Sequence, residues 1–216
     1  MTLADEIVVL LLDDEVGDVA LVHRPIATIA AIGGVLMELA LRLRIDTDPD
    51  RLFVIDPADT GDSLLDDVLR EIAAAEGTQP TAWWVDALAG RHSHILDQVM
   101  HRLVEAGILR QEERRFLWVF SRRAYPPVSG RERLEAKARL MTILFNDDVP
   151  DPRDTLLLGL ANASGVLSRM LSAAEFERAA ARIAQIANLE EIGRSVATVC
   201  RQVLDALGVT ARNYPV

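Results

Sequence analysis

Cysteine is almost absent from the sequence, which excludes disulfide bonds within the chain. Cys200 is the only cysteine among the 216 residues, so no internal disulfide can form and a reducing compartment is favoured. Because Cys200 lies in an apolar helical segment, we interpret it as a small buried hydrophobe rather than a nucleophile. Half of the residues are hydrophobic, which is enough for one domain with a substantial core.

Long apolar runs and a basic N-terminus are also lacking. The longest apolar run, residues 25–40, contains Gly33, Gly34 and Glu38, and we consider it too short and too polar to span a bilayer. The first residues are acidic where a secretory signal would be basic, so no signal peptide is predicted. Both absences favour a cytoplasmic protein whose contact with a membrane would be peripheral.

The sequence lacks the short motifs that carry catalysis. It has no Gly-Lys-Ser/Thr phosphate loop, no Gly-x-Gly-x-x-Gly motif and no Gly-x-Ser-x-Gly motif. The spacing of His92, His94 and His101 does not match that of a metal-binding cluster. We therefore predict that the protein is not an enzyme and that it holds neither a metal nor a cofactor.

Helical periodicity dominates the chain, as residues 93–106 illustrate with apolar side chains at helical spacing. Short aromatic or β-branched runs predict a few strands, including a hairpin in which residues 108–110 and 116–120 flank a charged turn. We predict a mainly α fold: a single-domain helical bundle core with peripheral helices and short β-hairpin elements. The domain is expected to span residues 1–208, followed by a flexible tail over residues 209–216.

Charge is distributed unevenly along the chain. The net charge of −10 argues against a general nucleic-acid binder. Residues 110–139 nevertheless contain nine basic and four acidic residues, a local charge of +5 that leaves −15 on the remainder. Arginine binds phosphate oxygens through paired, charge-assisted hydrogen bonds. The basic segment therefore predicts contact with an anionic surface, although solvated arginines on a helix and a hairpin would produce the same pattern.

Four segments carry a further signal through their order and spacing. They are residues 3–12 (LADEIVVLLL) followed by DDEVG, residues 34–45 (GVLMELALRLRI), residues 61–69 (GDSLLDDVL) and residues 102–110 (RLVEAGILR). Together they resemble the Golgi phosphoprotein 3 family over nearly the whole chain. The family has bacterial members, many of them actinobacterial, and a single lysine among many arginines fits such a source.

The resemblance implies a mainly helical protein that binds phosphatidylinositol 4-phosphate at the cytosolic face of a membrane. In the family, a tryptophan and an arginine near the second long helix join basic residues that open the helix after the hairpin. The later basic pair is matched here by Arg131 and Arg133. The earlier arginine position falls at about Ile32, and the tryptophan position falls near His23 and Arg24, which could substitute for it.

The predicted hairpin extends this expected site. Arg122 and Arg123 add to the headgroup-binding set, and Trp118 is expected to contact the membrane. We therefore predict a non-enzymatic peripheral protein at the cytoplasmic membrane face. It would bind phosphoinositide or other anionic lipid headgroups through a basic patch.

Two other functions remain open. Residues 93–120 resemble a winged-helix element, which would make the protein a DNA-binding regulator. Asp97 and Glu105 on the helix of that element would repel DNA phosphates. A protein-interaction scaffold is the third alternative, in which the basic segment meets an acidic protein partner or a second copy of the chain.

Overall fold

The computed structural model describes residues 1–12, 24–116, 120–146, 150–187 and 191–206. The helices of these residues are α1 (Leu3–Leu11), α2 (Arg24–Leu41), α3 (Ser63–Ala74), α4 (Thr81–Arg91), α5 (Ile95–Glu105), α6 (Arg131–Phe145), α7 (Pro152–Ala163), α8 (Val166–Met170), α9 (Ala173–Ala187) and α10 (Glu191–Ala206). The strands are β1 (Ile45–Asp48), β2 (Arg51–Val54), β3 (Glu112–Phe116) and β4 (Phe120–Ala124). The prediction of a mainly α fold with short hairpins is confirmed. The predicted tail, residues 209–216, lies outside the described residues.

Helix α2 forms the centre of the core and packs against α1, α3, α4, α5, α7 and α10. Its mean hydropathy of 1.5 over 18 residues makes it long and apolar enough to cross a membrane by length and composition alone. The expectation that this run is too short and too polar is therefore not supported by its hydropathy. In the fold, however, 72% of the helix is buried inside the protein, and a central core helix meets the same criterion.

Helix α1 lies directly against α2 because Gly34 of α2 has no side chain at the point of contact. A Cβ atom at Gly34 would lie 2.6 Å from the backbone nitrogen and Cα of Ala4. The start of α1 is fixed by a capping box, in which the Asp5 carboxylate accepts from the Thr2 amide at 2.7 Å and Thr2 Oγ1 accepts from the Asp5 amide at 3.3 Å. All residues of α1 are buried, including Asp5 and Glu6, so this helix belongs to the core.

Both hairpins are antiparallel, and the second one differs from its prediction in extent. Strand β3 pairs with β4 from Glu112 opposite Ala124 to Phe116 opposite Phe120. The predicted first strand, residues 108–110, is wrong: Leu109 is buried and makes only an isolated bridge to Pro127. The charged residues that we expected in the turn form the strand instead, because backbone pairing does not depend on side-chain polarity.

Candidate functional site

A surface groove of about 520 Å³ lies at the start of α6 and reaches α8. Among the residues that the structure describes, its lining holds three cationic side chains, Arg133 and Lys137 from α6 and Arg169 from α8, and no carboxylate. Four other grooves among the described residues each include at least one carboxylate. We call the groove around Arg133, Lys137 and Arg169 the cationic groove.

Helical geometry places the two groove cations of α6 on a different face from the two acids of this helix. Arg133 and Lys137 are one turn apart and therefore lie on the same face of the helix. Glu132 and Glu135 line a different groove on another side of α6, together with Glu6 of α1. Neither acid of α6 lines the cationic groove, although Glu132 Oε2 accepts a hydrogen bond from the groove residue Ser129 at 3.3 Å.

The N-terminus of α6 adds further positive potential. Ser129 and Gly130 line the cationic groove directly before the helix begins. Gly130 has a left-handed backbone with φ of 68°, which glycine adopts without strain. The Arg131 amide donates to Ser129 Oγ at 3.2 Å. Since a helix of 15 residues carries a partial positive charge at its N-terminus, this end of the groove also favours an anion.

The structure separates the two arginines that the sequence placed in one pair. Arg133 lines the cationic groove, whereas Arg131 does not. The side chain of Arg131 is 77% exposed, and its Nε donates to Glu135 Oε1 at 2.7 Å. Residues two apart on a helix are rotated by about 200°, so they cannot face the same groove. Arg24 does not line the groove either, and it pairs with Asp97 of α5 at 2.6 Å.

The remaining predicted residues are only partly described. His23 and Trp118 lie outside the described residues. Arg122 and Arg123 belong to β4 by their backbone, but their side chains fall outside the description. Ile32 is fully buried in the middle of α2, so the family's arginine position corresponds here to a core residue.

Sequence reasoning missed two of the three groove cations. Lys137 could have been found, because it follows Arg133 by four residues within one predicted helix. Arg169 had no such signal, since α8 reaches the groove only through the packing of the chain. Arg169 could be assigned to the groove only from the tertiary structure, whereas the helical spacing that assigns Lys137 was present in the sequence and was overlooked.

The outer face of α5 does not suit a DNA-recognition helix. Asp97, His101 and Glu105 are exposed on this face, which therefore carries net negative charge. Arg102 is directed toward the protein, where Nη2 donates to Asp5 Oδ1 at 2.6 Å and Nη1 to Asp62 Oδ2 at 3.0 Å. The winged-helix interpretation thus has no cationic surface on the helix that would enter the groove of a duplex.

Chemically reactive groups are sparse among the described residues. These residues contain no group of three or more histidine, cysteine or acidic side chains that could hold a metal ion. Cys200 of α10 is buried, and burial raises the pKa of its thiol to about 12. At neutral pH this thiol is protonated and sheltered, which agrees with a packing role.

We expect Cys200 to resist alkylation in the native protein. Iodoacetamide at mildly alkaline pH should leave the folded chain unmodified, because the reactive thiolate is rare and inaccessible. In guanidinium chloride the same reagent should modify the residue fully, as intact mass spectrometry would show. Rapid modification of the folded protein would contradict the burial of Cys200.

Comparison with known proteins agrees with the order of the sequence motifs. Residues 3–207 match the family model described as Golgi phosphoprotein 3 (GPP34). The chain is 28% identical over 215 residues to a vacuolar protein sorting-associated protein 74 of Eremothecium gossypii. The match covers 82% of this chain and 63% of that relative, so the chain spans less than two thirds of the relative's length.

Proposed function

Because the chain belongs to the Golgi phosphoprotein 3 family, we propose that it is a peripheral membrane protein that binds anionic lipid headgroups in the cationic groove. The headgroup of phosphatidylinositol 4-phosphate is the first candidate. The observation that carries the proposal is the convergence of Arg133, Lys137 and Arg169 on a groove whose described lining residues include no carboxylate. The proposed location is the cytoplasmic face of a membrane.

The groove chemistry suits a phosphate monoester. Arginine presents a planar fork of donors to phosphate oxygens, and lysine adds a compact point charge. The start of α6 supplies a partial positive charge at Gly130, on the same groove. The chain as a whole carries a charge of −10, so the three cations of this groove provide a local attraction for a phosphate that the net charge does not.

We further propose that the groove binds its ligand without transforming it. The lining residues that the structure describes include no carboxylate, histidine or cysteine that could act as a general base or nucleophile. The hydroxyl of Ser129 already accepts from the Arg131 amide, and it donates to Glu132 at 3.3 Å.

The test is co-sedimentation with phosphatidylcholine vesicles that contain or lack phosphatidylinositol 4-phosphate. We expect the wild type to bind only the charged vesicles. The variant Arg133→Ala with Lys137→Ala should bind them about thirtyfold more weakly, because each of the two basic residues contributes about 1 kcal/mol near an anionic surface. Vesicles with phosphatidylserine instead would separate headgroup recognition from attraction by charge alone.

Arg131→Ala is the matched control for that variant. It also removes one positive charge from α6, but from a side chain that pairs with Glu135 and does not line the groove. We expect it to change vesicle binding much less than Arg133→Ala alone. Equal losses for these two single variants, or equal wild-type binding to neutral vesicles, would contradict the proposed site.

A further inference from the structure

Two aliphatic side chains stand exposed on the rim of the cationic groove. Val128 is 58% exposed and Leu134 is 67% exposed, and both line the groove. Single exposed aliphatic residues are common on protein surfaces. Two of them beside three cations on one groove form a mixed cationic and apolar surface, which is the combination that fits the boundary between lipid headgroups and acyl chains.

The fold does not use either side chain in its core. The buried face of α6 consists of Ala136, Leu140, Ile143 and Leu144, so Leu134 projects outside that face. Val128 is held by its backbone, since its amide donates to the Ile108 carbonyl at 2.9 Å. Both positions are therefore fixed by the backbone while their side chains face outward, and inserting them into another phase would require no rearrangement of these elements.

Charge determines which partner fits this surface. A chain with a net charge of −10 is repelled by an anionic bilayer in most orientations. Among the described residues, the lining of the cationic groove carries three cations and no carboxylate, which favours an approach to the bilayer with this groove first. In that orientation the exposed side chains of Val128 and Leu134 are carried to the lipid surface together with the cations.

We propose that Val128 and Leu134 insert between the lipids of an anionic bilayer while Arg133, Lys137 and Arg169 hold a headgroup phosphate. The ligand of the cationic groove is then a lipid within a membrane and not a free phosphate ester. This inference rests on the proposed function and adds to it the orientation of the protein and the apolar part of its membrane contact.

The test compares a membrane with the same headgroup in solution. The variant Val128→Ser with Leu134→Ser keeps every cation and should bind vesicles of phosphatidylcholine and phosphatidylinositol 4-phosphate on the order of tenfold more weakly, because the inserted apolar area is lost. Its binding to inositol 1,4-bisphosphate, the soluble headgroup, should equal that of the wild type in titration calorimetry. Ile55→Ser is the matched control, since Ile55 is 50% exposed but does not line the groove.

The possible outcomes separate this inference from the proposed function. Wild-type protein that binds neither the vesicles nor the soluble headgroup would overturn the proposed function itself. Unchanged vesicle binding by the serine variant, alongside loss in Arg133→Ala with Lys137→Ala, would overturn only the insertion. Equal weakening by Ile55→Ser, or parallel loss of the soluble headgroup in the serine variant, would overturn it as well, because the effect would then be non-specific adhesion or damage to the groove.

Discussion

Replacing Gly34 with alanine is expected to lower the free energy of unfolding by about 3 kcal/mol, because the new methyl group has no space to enter. Its Cβ would lie 2.6 Å from the nitrogen and Cα of Ala4, and 2.9 Å from the carbonyl carbon of Leu3. These are backbone atoms of α1, and they cannot move aside as a flexible side chain would. Helix α1 would have to shift as a unit away from α2.

The consequence of that shift extends beyond the two helices. Asp5 of α1 pairs with Arg102 of α5, and Glu6 pairs with Arg139 of α6 and with Arg153 of α7. Moving α1 therefore strains ion pairs to three other helices, in addition to the direct clash. This is why we expect an effect at the upper end of the range for overpacked cores.

Urea denaturation followed by circular dichroism would measure the effect of Gly34→Ala. Gly159→Ala is the matched control, since Gly159 also lies inside a helix, α7, but nothing lies within 4 Å of a Cβ atom there. The control should raise the free energy of unfolding by about 0.5–1 kcal/mol, because alanine loses less backbone entropy than glycine on folding. Similar stabilities for the two variants would contradict the close contact between α1 and α2.

The second large effect is expected from Arg153→Met, which removes the cation between two buried carboxylates. The side chains of Glu6 and Glu38 are each only 7% exposed. Arg153 Nη2 lies 3.0 Å from Glu6 Oε1, and its Nη1 lies 3.0 Å from Glu38 Oε2. Arg153 also donates to the carbonyl oxygen of Met1 at 2.9 Å, which links α7 to the start of the chain.

Methionine occupies much of the volume of the aliphatic part of the arginine side chain. It leaves the carboxylates of Glu6 and Glu38 without their shared cation. Breaking a buried ion pair from one side costs about 3–5 kcal/mol. We expect a loss of stability at the low end of this range, about 3 kcal/mol, because Arg139 still pairs with Glu6 and Arg42 still pairs with Glu38. The measurement is again the free energy of unfolding at neutral pH.

The pH dependence of this effect follows from the pKa of Glu38. Burial opposes its ionisation, but the hydrogen bond from the Leu3 amide and the charges of Arg153 and Arg42 outweigh burial and hold the pKa below its ordinary value of 4.5. A lowered pKa stabilises the fold above the unfolded value, and that stability is lost as the pH falls through the folded value. The difference in the free energy of unfolding between the wild type and Arg153→Met should therefore reach its full size near pH 7 and should shrink below about pH 4.5.

Arg70→Met is the control for this prediction. Arg70 pairs with Asp67 at 2.9 Å, but both side chains are at least half exposed. Exposed ion pairs contribute at most about 1 kcal/mol, so the control should change stability little at any pH. A loss as large in Arg70→Met as in Arg153→Met would show that the buried network around Glu6 and Glu38 has no special role.

Much of the fold could be predicted from the sequence because it depends on local patterns. Apolar residues at helical spacing indicated α5 correctly to within two residues at its start and one at its end. The limits of β3 could not be predicted in the same way, because its charged residues look like a turn. Only the register with β4, which places Glu112 opposite Ala124, decides where the strand begins.

The candidate site was predictable only in part. The sequence pointed to the start of α6 and to Arg133, and the proposed groove lies there. It also grouped Arg131 with Arg133, although the helical rotation between them places Arg131 beside Glu135 instead. Arg24 was grouped with the same site by its position at the start of α2, yet it pairs with Asp97 on α5.

By itself, the sequence determined the family, the mainly helical class and the segment that carries excess positive charge, since each is written in residue order or local spacing. Tertiary structure alone decided which charges act together. It brings Arg169 of α8 to the same groove as Arg133 and Lys137. It also pairs Arg102 and Arg153 with the buried carboxylates of Asp5 and Glu6 on α1. Side-chain charge is set by residue type, whereas the electric field at a site depends on the distance and burial of every charge that folding brings near it.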